Sequence, residues 1–401
     1  MEPVARSDTR LRTGGDRPGL DRRTLWTLLA GNALTAVGIG FFFPMLPLFV
    51  TGRGGTPFLV GVVFAAGFIG RAAAQYPAGW LADRVGRRPL LLGSLLVYAM
   101  VFPLYVLPVP VAALIGIRFV HSLAGGAFVP AAMALAADLT PPAGRGRVFS
   151  QLRASDTVGL LVGPALGGFV AAFRLEYVFG AGTLICLVAA LVLLRLPAAA
   201  PAAPDGPVEV DVAPARPLRL LRLVVPILLL GAPVNWTFGA YDSVWSLYLT
   251  SRGAGTFLIG LSFATYALPV VLFAGLAAGL ADRLGHLRAG RLTLLTHGLL
   301  AIAYPFIASV PLLVAIGVVE GGLTAAGLPA LTAEASRRAP AGAQGRTQGI
   351  YQLGLNSAQV AGSVVTGALY GLGPVPAFAS VAAACLLGLV ANAAVTRPRP
   401  T

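Results

Sequence analysis

The sequence contains no lysine, because all 29 of its Lys+Arg residues are arginine. A P-loop needs a lysine that reaches the nucleotide phosphates, and a retinal Schiff base needs a lysine amine. ATP-driven and light-driven pumping within this chain are therefore excluded. Cysteine is scarce too: Cys186 and Cys385 are the only two, and both lie in apolar runs. Histidine occurs three times, at His121, His286 and His297, without a Cys/His cluster, so we expect no metal site and no cofactor.

Charge is also rare. Charged residues make up 11% of the 401 residues, against about 25% in a soluble domain, whereas the apolar set AVILMFWYC makes up 57%. A water-soluble globule is excluded, and backbone groups inside a bilayer must bond within their own segment. The predicted fold is an all-α integral membrane protein with 12 transmembrane helices, near residues 24–50, 57–82, 89–107, 109–137, 148–173, 176–196, 223–249, 256–281, 291–309, 311–335, 346–371 and 374–395.

The arginines predict the orientation of these helices. With an even number of crossings both termini lie on one side, and the tails and loops on that side hold 24 arginines. The opposite loops hold three, Arg53, Arg174 and Arg252. Because arginine-rich loops stay in the cytoplasm, we expect both termini inside, in a bacterial-type cytoplasmic (inner) membrane. The formal net charge of +14 is thus explained by topology, and a nucleic-acid partner is not expected.

The sequence repeats itself at an offset of 199 residues. Leu81-Ala82-Asp83-Arg84 recurs as Leu280-Ala281-Asp282-Arg283, and Cys186 pairs with Cys385. Six predicted helices separate the partners, so the two halves are parallel repeats, an architecture of transporters with a site between the repeats. We divide the chain into an N-terminal tail (1–23), a six-helix bundle (24–196), a Pro/Ala-rich cytoplasmic linker (197–222), a second six-helix bundle (223–395) and a C-terminal tail (396–401).

The loop after the second predicted helix carries a specific signature. Residues 79–88 read GWLADRVGRR, which resembles the complete G-x-L-A-D-R-x-G-R-R loop motif of the major facilitator superfamily. The resemblance implies that Asp83 docks on the start of helix 11 and that the arginines meet Asp138, which stabilises the outward-facing state. Ordinary positive-inside arginines are the alternative. The second copy has lost its final basic pair, so we expect a weaker contact there. This conformational latch comprises Gly79, Asp83, Arg84, Gly86, Arg87, Arg88 and Asp138.

Helix 5 carries a second signature. Residues 159–168 read GLLVGPALGG, which resembles the G-x-x-x-G-P-x-x-G-G motif of the drug:proton antiporter branch of that superfamily. Glycines four residues apart leave one helix face bare, so that another backbone can approach closely. We expect the partner to be helix 8, with Gly275 and Gly279 on its face; generic packing of small residues is the alternative. The motif residues are Gly159, Gly163, Pro164, Gly167 and Gly168.

Two weaker resemblances lie on helices 1 and 4. Gly38, Pro44 and Pro47 follow the G-x5-P-x-x-P pattern of the proton-coupled exporters, with a simple kink as the alternative. Arg118 and His121 match the family's R-x-x-Q-G pattern only in part, because His121 and Ser122 replace its Gln and Gly.

Ionisable groups inside the predicted spans point to a shared cavity. Each costs about 2.5–3.5 kcal/mol at the membrane centre if it faces lipid, so these groups must face water or one another. The resemblance implies that helices 1, 4, 7 and 10 line the cavity, whereas helices 3, 6, 9 and 12 face lipid. We hypothesise that Asp242 or Glu320 takes up a proton from outside and releases it when Arg118 approaches; static buried ion pairs are the alternative. The candidate residues are Asp242, Glu320, Arg118, His121, Asp156, Arg71, Asn32 and Asn235.

These observations predict a secondary transporter that moves a small molecule by alternating access, in the form of proton-coupled efflux (drug or metabolite antiport). A proton symporter or a uniporter of a sugar, amino acid or organic anion is the alternative on the same fold. An enzyme and a channel are not expected, since the sequence has neither a reactive constellation nor a selectivity filter. The expected partners are a small-molecule substrate, protons and the lipid bilayer, and we expect a monomer. Arginines and carboxylates both occur among the candidates, so the charge of the substrate stays open.

Overall fold

The computed structural model describes residues 21–141, 144–197, 217–340 and 342–396. Within these ranges all regular structure is helical, as the composition predicts. Most of the predicted N-terminal tail and linker, and the last residues of the C-terminal tail, lie outside the described ranges. The domain boundaries drawn in these segments therefore stay predictions.

Twelve helices follow one another along the described chain. The first is broken by a short 3-10 turn at Phe43–Met45, and the eighth is broken at Phe273. We label them α1 (Arg22–Gly52), α2 (Pro57–Val85), α3 (Arg87–Val106), α4 (Ala113–Leu139), α5 (Arg145–Ala171), α6 (Tyr177–Leu193), α7 (Pro217–Ser251), α8 (Thr256–Leu272 with Ala274–Leu284), α9 (His286–Ala303), α10 (Val310–Arg338), α11 (Gln344–Tyr370) and α12 (Pro374–Thr396).

Most of these helices have the length and apolarity of membrane spans. Among the described residues eight helices meet both conditions, and the bent α8 makes nine. The other three, α6, α9 and α11, are shorter or more polar, yet they pack in the same bundle. Helices 1–6 form an N-terminal bundle and helices 7–12 a C-terminal bundle.

Turns at corresponding places make the internal repeat visible in the backbone. Gly54 and Gly253 both have φ of 84°, and Gly86 and Gly285 have φ of 95° and 85°. A left-handed conformation is available to glycine at little cost, so the same tight turns recur 199 residues apart. The repeat is less exact in α8, whose two segments differ in direction by 69°, while the corresponding α2 is continuous. Pro269 and Gly275 lie on either side of this break, and both residue types weaken a helix.

The outer surface of the bundle is apolar. Large side chains on α3, α6, α9 and α12 are exposed, including Met100 (71%), Leu184 (63%), Leu299 (58%) and Leu387 (68%). Contiguous exposed apolar surface of this kind is unfavourable in water but is solvated by acyl chains. These four helices, which the resemblance assigns to the lipid-facing set, therefore contribute to an apolar outer surface that α5, α8, α10 and α11 also share.

Candidate functional site

The two bundles meet tightly at one end of the molecule. Near the start of α2, a Cβ added to Gly61 would lie 2.2 Å from the carbonyl oxygen of Ser363 on α11. At the end of α5, the hydroxyl of Thr256 donates to the carbonyl oxygen of Gly168 over 2.9 Å. Two pairs of helices, α2 with α11 and α5 with α8, therefore close this end by backbone contact.

The opposite end is open. The glycines whose added Cβ would meet the other bundle, Gly61, Gly168, Gly260 and Gly367, all lie at the closed end. At the opposite end of α2, α8 and α11, an added Cβ would meet no atom outside its own helix segment within 4 Å at Gly79, Gly275, Gly279, Gly345 and Gly349. Each ion pair among the described residues joins two residues of the same bundle, so none of them links the two bundles. The gap between the bundles thus opens at the end that carries the arginine-rich loops, which is the inward-open arrangement if those loops are cytoplasmic.

A pocket lies in the C-terminal bundle between α7, α8 and α10. Its empty volume is about 510 Å³. Five aromatic side chains and two carboxylates contribute to its wall, and the remaining wall is small or apolar. The lining residues are Phe238, Tyr241, Asp242, Trp245, Ser262, Phe263, Tyr266, Leu313, Val314, Gly317 and Glu320. An apolar cleft with a few convergent polar groups is the usual form of a small-molecule site.

Asp242 is the more accessible of the two carboxylates. Its Oδ2 lies 3.5 Å from the side-chain amide nitrogen of Gln359, a weak hydrogen bond. Arg71 of α2 acts on it electrostatically from the other bundle, although no arginine in the described chain lies within ion-pair distance of it. Asp242 therefore lies on the pocket wall with one weak hydrogen bond and no ion pair among the described residues.

Glu320 is buried, with 2% of its surface exposed. The hydroxyl of Tyr304 donates to Oε2 over 2.6 Å. Nδ1 of His297 lies 2.7 Å from Oε1, at ion-pair distance but without the alignment of a full hydrogen bond. Thr324, one turn further along α10, contacts Nε2 of His297 and the hydroxyl of Tyr266, each over 3.0 Å. This network joins α8, α9 and α10 at the wall of the pocket.

Arg118 and His121 do not join this pocket. The guanidinium of Arg118 lies 5.0 Å from the ring centre of Phe42, in a cation–π arrangement, and is 3% exposed. The ring of His121 is 3.7 Å from that of Tyr98, and Tyr105 lies 3.3 Å from its Nδ1. Both residues lie inside the N-terminal bundle, so the expected approach of Arg118 to Asp242 or Glu320 is absent from this conformation.

The remaining cavity candidates also bond within their own bundles. The amide of Asn32 on α1 donates to Oδ1 of Asp156 on α5 over 2.7 Å. Asn235 donates to the carbonyl oxygen of Gly231, on its own helix, over 3.0 Å. Asp242 and Glu320 are thus the two candidates that the structure brings to the pocket. Asn32, His121 and Asn235 are not among its lining residues, and their place along the central cavity stays a prediction.

Of the two contacts that the resemblance implies for the latch residues, one is formed and the other is not. Arg87 forms an ion pair with Asp138 and donates to the carbonyl oxygen of Ala134 over 3.0 Å, which ties the loop to α4. The side chain of Asp83 is 74% exposed and lies 3.9 Å from Arg87. Asp83 is therefore not docked on α11 in this conformation, and the role of the loop as a conformational latch stays a prediction.

The second copy of the latch uses histidine. His286 stands where the first copy has Arg87, and its ring lies 3.3 Å from Oδ1 of Asp282 and 3.1 Å from Oε2 of Glu334. Glu334 is also paired with Arg337 and Arg338. The loss of the basic pair is thus accompanied by a different set of ionic contacts in the same place.

The helix 5 motif packs against two helices, against α1 through one face and against the predicted helix 8 through another. A Cβ on Gly163 would lie 2.7 Å from the carbonyl oxygen of Val37, and one on Gly167 would lie 1.8 Å from that of Phe41. The partner of this face is therefore α1, and the prediction of Gly275 and Gly279 on helix 8 is wrong. Contact with α8 is made by Gly168 instead, through Thr256 and Gly260 near the start of that helix. The rotation of α5, which sequence spacing alone does not fix, decides this choice.

Sequence reasoning missed three residues of the Glu320 network. His297 lies on a lipid-facing helix, so its inward direction was not evident, and Tyr304 follows the end of that helix. Thr324 was detectable, because it stands four residues after Glu320 on the same helix face. The aromatic wall gave no clear signal either, since its members come from two separate helices.

Two parallel six-helix repeats with a pocket beside the gap between them define a secondary membrane transporter. The chain belongs to the Major Facilitator Superfamily, whose sequence model matches residues 28–306 and 227–401. It is a multi-pass membrane transporter of that family.

Named proteins with similar sequences support the assignment to this family. Tetracycline resistance protein, class E, of Escherichia coli is 29% identical over 362 residues, which are 87% of this chain and 88% of that protein. Multidrug resistance protein 2 of Bacillus subtilis is 27% identical over 172 residues, which span 43% of each chain.

Solved structures share the fold. The nucleoside transporter NupG has a TM-score of 0.73 at 13% identity, over 94% of this chain and 100% of its own. A bacterial homolog of the human lysosomal transporter Spinster, in an inward-facing and occupied conformation, has a TM-score of 0.75 at 15% identity, over 95% of this chain and 97% of its own.

Proposed function

We propose that the protein exports a small, largely apolar compound from the cytoplasm of a bacterial cell in exchange for protons. It acts as a monomer in the cytoplasmic membrane, with both termini in the cytoplasm. The observation that carries the proposal is the pocket of α7, α8 and α10, whose wall combines five aromatic side chains with the carboxylates of Asp242 and Glu320.

The wall of the pocket supports an apolar or aromatic substrate. Trp245 and Tyr241 offer ring faces, and Trp245 is held in place because its indole N–H donates to Ser262 over 3.1 Å. A flat apolar compound gains by leaving water for such a surface. A sugar would leave many hydroxyls without partners here, so the pocket favours export of an apolar compound over the sugar alternative.

The two carboxylates support coupling to protons. An acid in a site of low polarity binds a proton readily, and its charge state changes which conformation is favoured. In the exchange, a proton enters from outside while the pocket faces outward, and the compound enters from the cytoplasm in the inward-open state described above. The names of the relatives, which refer to tetracycline and multidrug resistance, support the outward direction of transport.

The test is transport by purified protein in proteoliposomes under an imposed pH gradient, screened over a library of lipophilic compounds. We expect uptake of at least one compound that depends on the gradient and collapses with it. Asp242→Asn should lower this uptake about tenfold or more, because it removes one of the two carboxylates of the pocket wall.

Glu176→Gln is the matched control, since it makes the same carboxylate-to-amide change in an exposed loop, where Glu176 lies 3.9 Å from Arg174. It should keep the rate of the unmodified protein. Flux that persists unchanged after the gradient is collapsed would replace the antiport proposal with a uniporter. Accumulation in the direction of the proton flux would replace it with a symporter.

A further inference from the structure

The carboxylate of Glu320 is buried beside one basic group. Its side chain is 3% exposed, that of His297 is 1% exposed, and 2.7 Å separate Oε1 from Nδ1. Among the ion pairs of the described chain, none joins Glu320 to an arginine. A buried carboxylate without a cation or a bound proton is strongly unfavourable, so His297 is the group that compensates the negative charge of Glu320.

Thr324 determines which hydrogens this network contains. Its hydroxyl has a single hydrogen, which it donates to the main-chain carbonyl of Glu320 over 2.8 Å. The same oxygen lies 3.0 Å from Nε2 of His297 and 3.0 Å from the hydroxyl of Tyr266. With this hydrogen on the Glu320 carbonyl, the oxygen accepts from both neighbours, and in this arrangement Nε2 of His297 carries a hydrogen.

A second hydrogen must then lie between His297 and Glu320. If Nε2 is protonated and the ring is neutral, Nδ1 carries a lone pair. A lone pair facing a carboxylate oxygen at 2.7 Å is repulsive, so one more proton resides on Nδ1 or on Oε1. The pair thus holds one proton beyond a neutral imidazole and a carboxylate, and its net charge is zero.

We propose that His297 and Glu320 form one proton-binding dyad, and that this dyad carries the proton exchanged during transport. The proposal rests on the proton-coupled export proposed above and assigns the site of the proton within it. It adds His297, on a lipid-facing helix, to the coupling machinery, and it leaves Asp242 as a pocket carboxylate that does not hold the coupling proton.

Other titratable groups surround the dyad. Tyr304 donates to Oε2 of Glu320 and keeps its orientation fixed. The remaining groups that act on Glu320 electrostatically come from α7, α8 and α12, and they carry no positive charge; they are Tyr241, Tyr266 and Cys385, with Asp242 beyond Tyr266. The protonation of the dyad is therefore set by its two members and by the hydrogen bonds of Tyr304 and Thr324.

Release of the proton has a defined course. The ring loses the proton on Nε2 to water and keeps the one on Nδ1, which it donates to the Glu320 carboxylate. The hydroxyl of Thr324 turns from the Glu320 carbonyl to donate to Nε2. One proton leaves, and the net charge of the dyad changes from zero to minus one. The pocket wall then gains a negative charge, which favours binding of a compound that is cationic or rich in hydrogen-bond donors.

The test uses the small number of histidines. With ring-15N histidine, the full-length protein in lipid nanodiscs gives three ring systems, and His297→Gln identifies one of them. We expect the ring of His297 to titrate with pH and its midpoint to move by about one pH unit or more in Glu320→Gln, which corresponds to about a tenfold change in proton affinity. Thr324→Val, which replaces the hydroxyl with a methyl group, should move the midpoint as well.

Thr296→Val is the matched control for Thr324→Val. Thr296 is the neighbour of His297 on α9, is half-buried, and among the described residues its hydroxyl donates to the carbonyl oxygen of Leu292 on its own helix. Its substitution should leave the His297 midpoint unchanged. A His297 midpoint that is the same with and without Glu320, or a neutral ring with its hydrogen on Nδ1 at every pH, would overturn the dyad.

Transport assays distinguish the proposed dyad from the proposal of proton-coupled export on which it rests. Under a pH gradient, His297→Gln and Thr324→Val should lose about tenfold or more of the gradient-driven accumulation, yet keep exchange of substrate for substrate, which needs no proton. Full accumulation by His297→Gln would overturn the dyad and leave proton-coupled export in place. Absence of gradient-driven transport in the unmodified protein would overturn the proposed function, while the ring titration still decides whether the dyad exists.

Discussion

Gly260 on α8 lies against Pro164 on α5 so closely that a Cβ on Gly260 would be 2.1 Å from the carbonyl oxygen of Pro164. The equivalent contact on the other side of the molecule joins Gly61 to Ser363. Both are contacts between the bundles at the closed end. Gly61 and Gly260, which are equivalent positions of the two repeats, thus permit the close packing of the two bundles at this end of the molecule.

Gly260→Ala should weaken the closed end. The added methyl group forces the two backbones apart, at a cost of about 1–3 kcal/mol, which amounts to a shift of about 5–150-fold toward the outward-open state. We would measure labelling of Gly317→Cys by a membrane-impermeant maleimide added outside, since Gly317 lines the pocket and the native Cys186 and Cys385 are fully buried. Labelling should become at least fivefold faster.

Gly279→Ala is the control, because no atom lies within 4 Å of its added Cβ. It should leave the labelling rate unchanged. Equal rates for Gly260→Ala and the parent would mean that α5 and α8 do not close this end.

Gly167→Ala should destabilise the N-terminal bundle. Its Cβ would lie 1.8 Å from the carbonyl oxygen of Phe41, so α1 and α5 must separate at a cost of about 1–3 kcal/mol. The midpoint of thermal unfolding in detergent, followed by tryptophan fluorescence, should fall. Gly180→Ala on α6 has open space around its added Cβ and should keep or raise the midpoint. A Gly167→Ala protein as stable as the parent would contradict the observed α1–α5 packing.

Asp83→Asn should favour the inward-open state. Here Asp83 is exposed and touches only Arg87 at 3.9 Å, so its charge adds little to this conformation. In the outward-facing state a contact with the start of α11 gains from the helix dipole by about 1 kcal/mol, or roughly fivefold in population. External labelling of Gly317→Cys should slow by that factor, and Asp282→Asn should have a smaller effect. Faster labelling in Asp83→Asn would refute the latch.

Trp245 should report directly on substrate. It is one of four tryptophans and the only one of them among the residues that line the described pocket. A bound compound should change its fluorescence, and Trp245→Ala should weaken binding about tenfold, or about 1.4 kcal/mol. Trp26→Phe, which replaces an exposed tryptophan of α1, should keep the signal. A fluorescence change that survives in Trp245→Phe would place the compound elsewhere.

Several features of the fold were predictable because they depend on the local sequence. Runs of apolar residues predict the helices, and the 199-residue repeat predicts two matching bundles. The orientation that the arginine-rich loops indicate stays a prediction. Boundaries were less accurate: α7 begins at Pro217, before the predicted 223, and α8 is broken at Phe273. Hydropathy registers neither difference, because Arg219 and Arg222 interrupt the apolar run at the start of α7 and the break in α8 falls inside an apolar run.

The site was predictable in part. Asp242 and Glu320 were identified because a carboxylate within an apolar helix is costly unless it is sheltered. Arg118 was expected beside them and lies instead among aromatic rings of the other bundle, which stabilise a cation without a carboxylate.

The sequence by itself determined that the chain spans the membrane, how its two halves are repeated and which acids need shelter, since these follow from composition and periodicity along the chain. Tertiary structure alone decided that His297 meets Glu320 and that α5 packs on α1. Such pairings depend on the rotation of each helix about its axis and on how closely two backbones approach, and neighbouring helices set both.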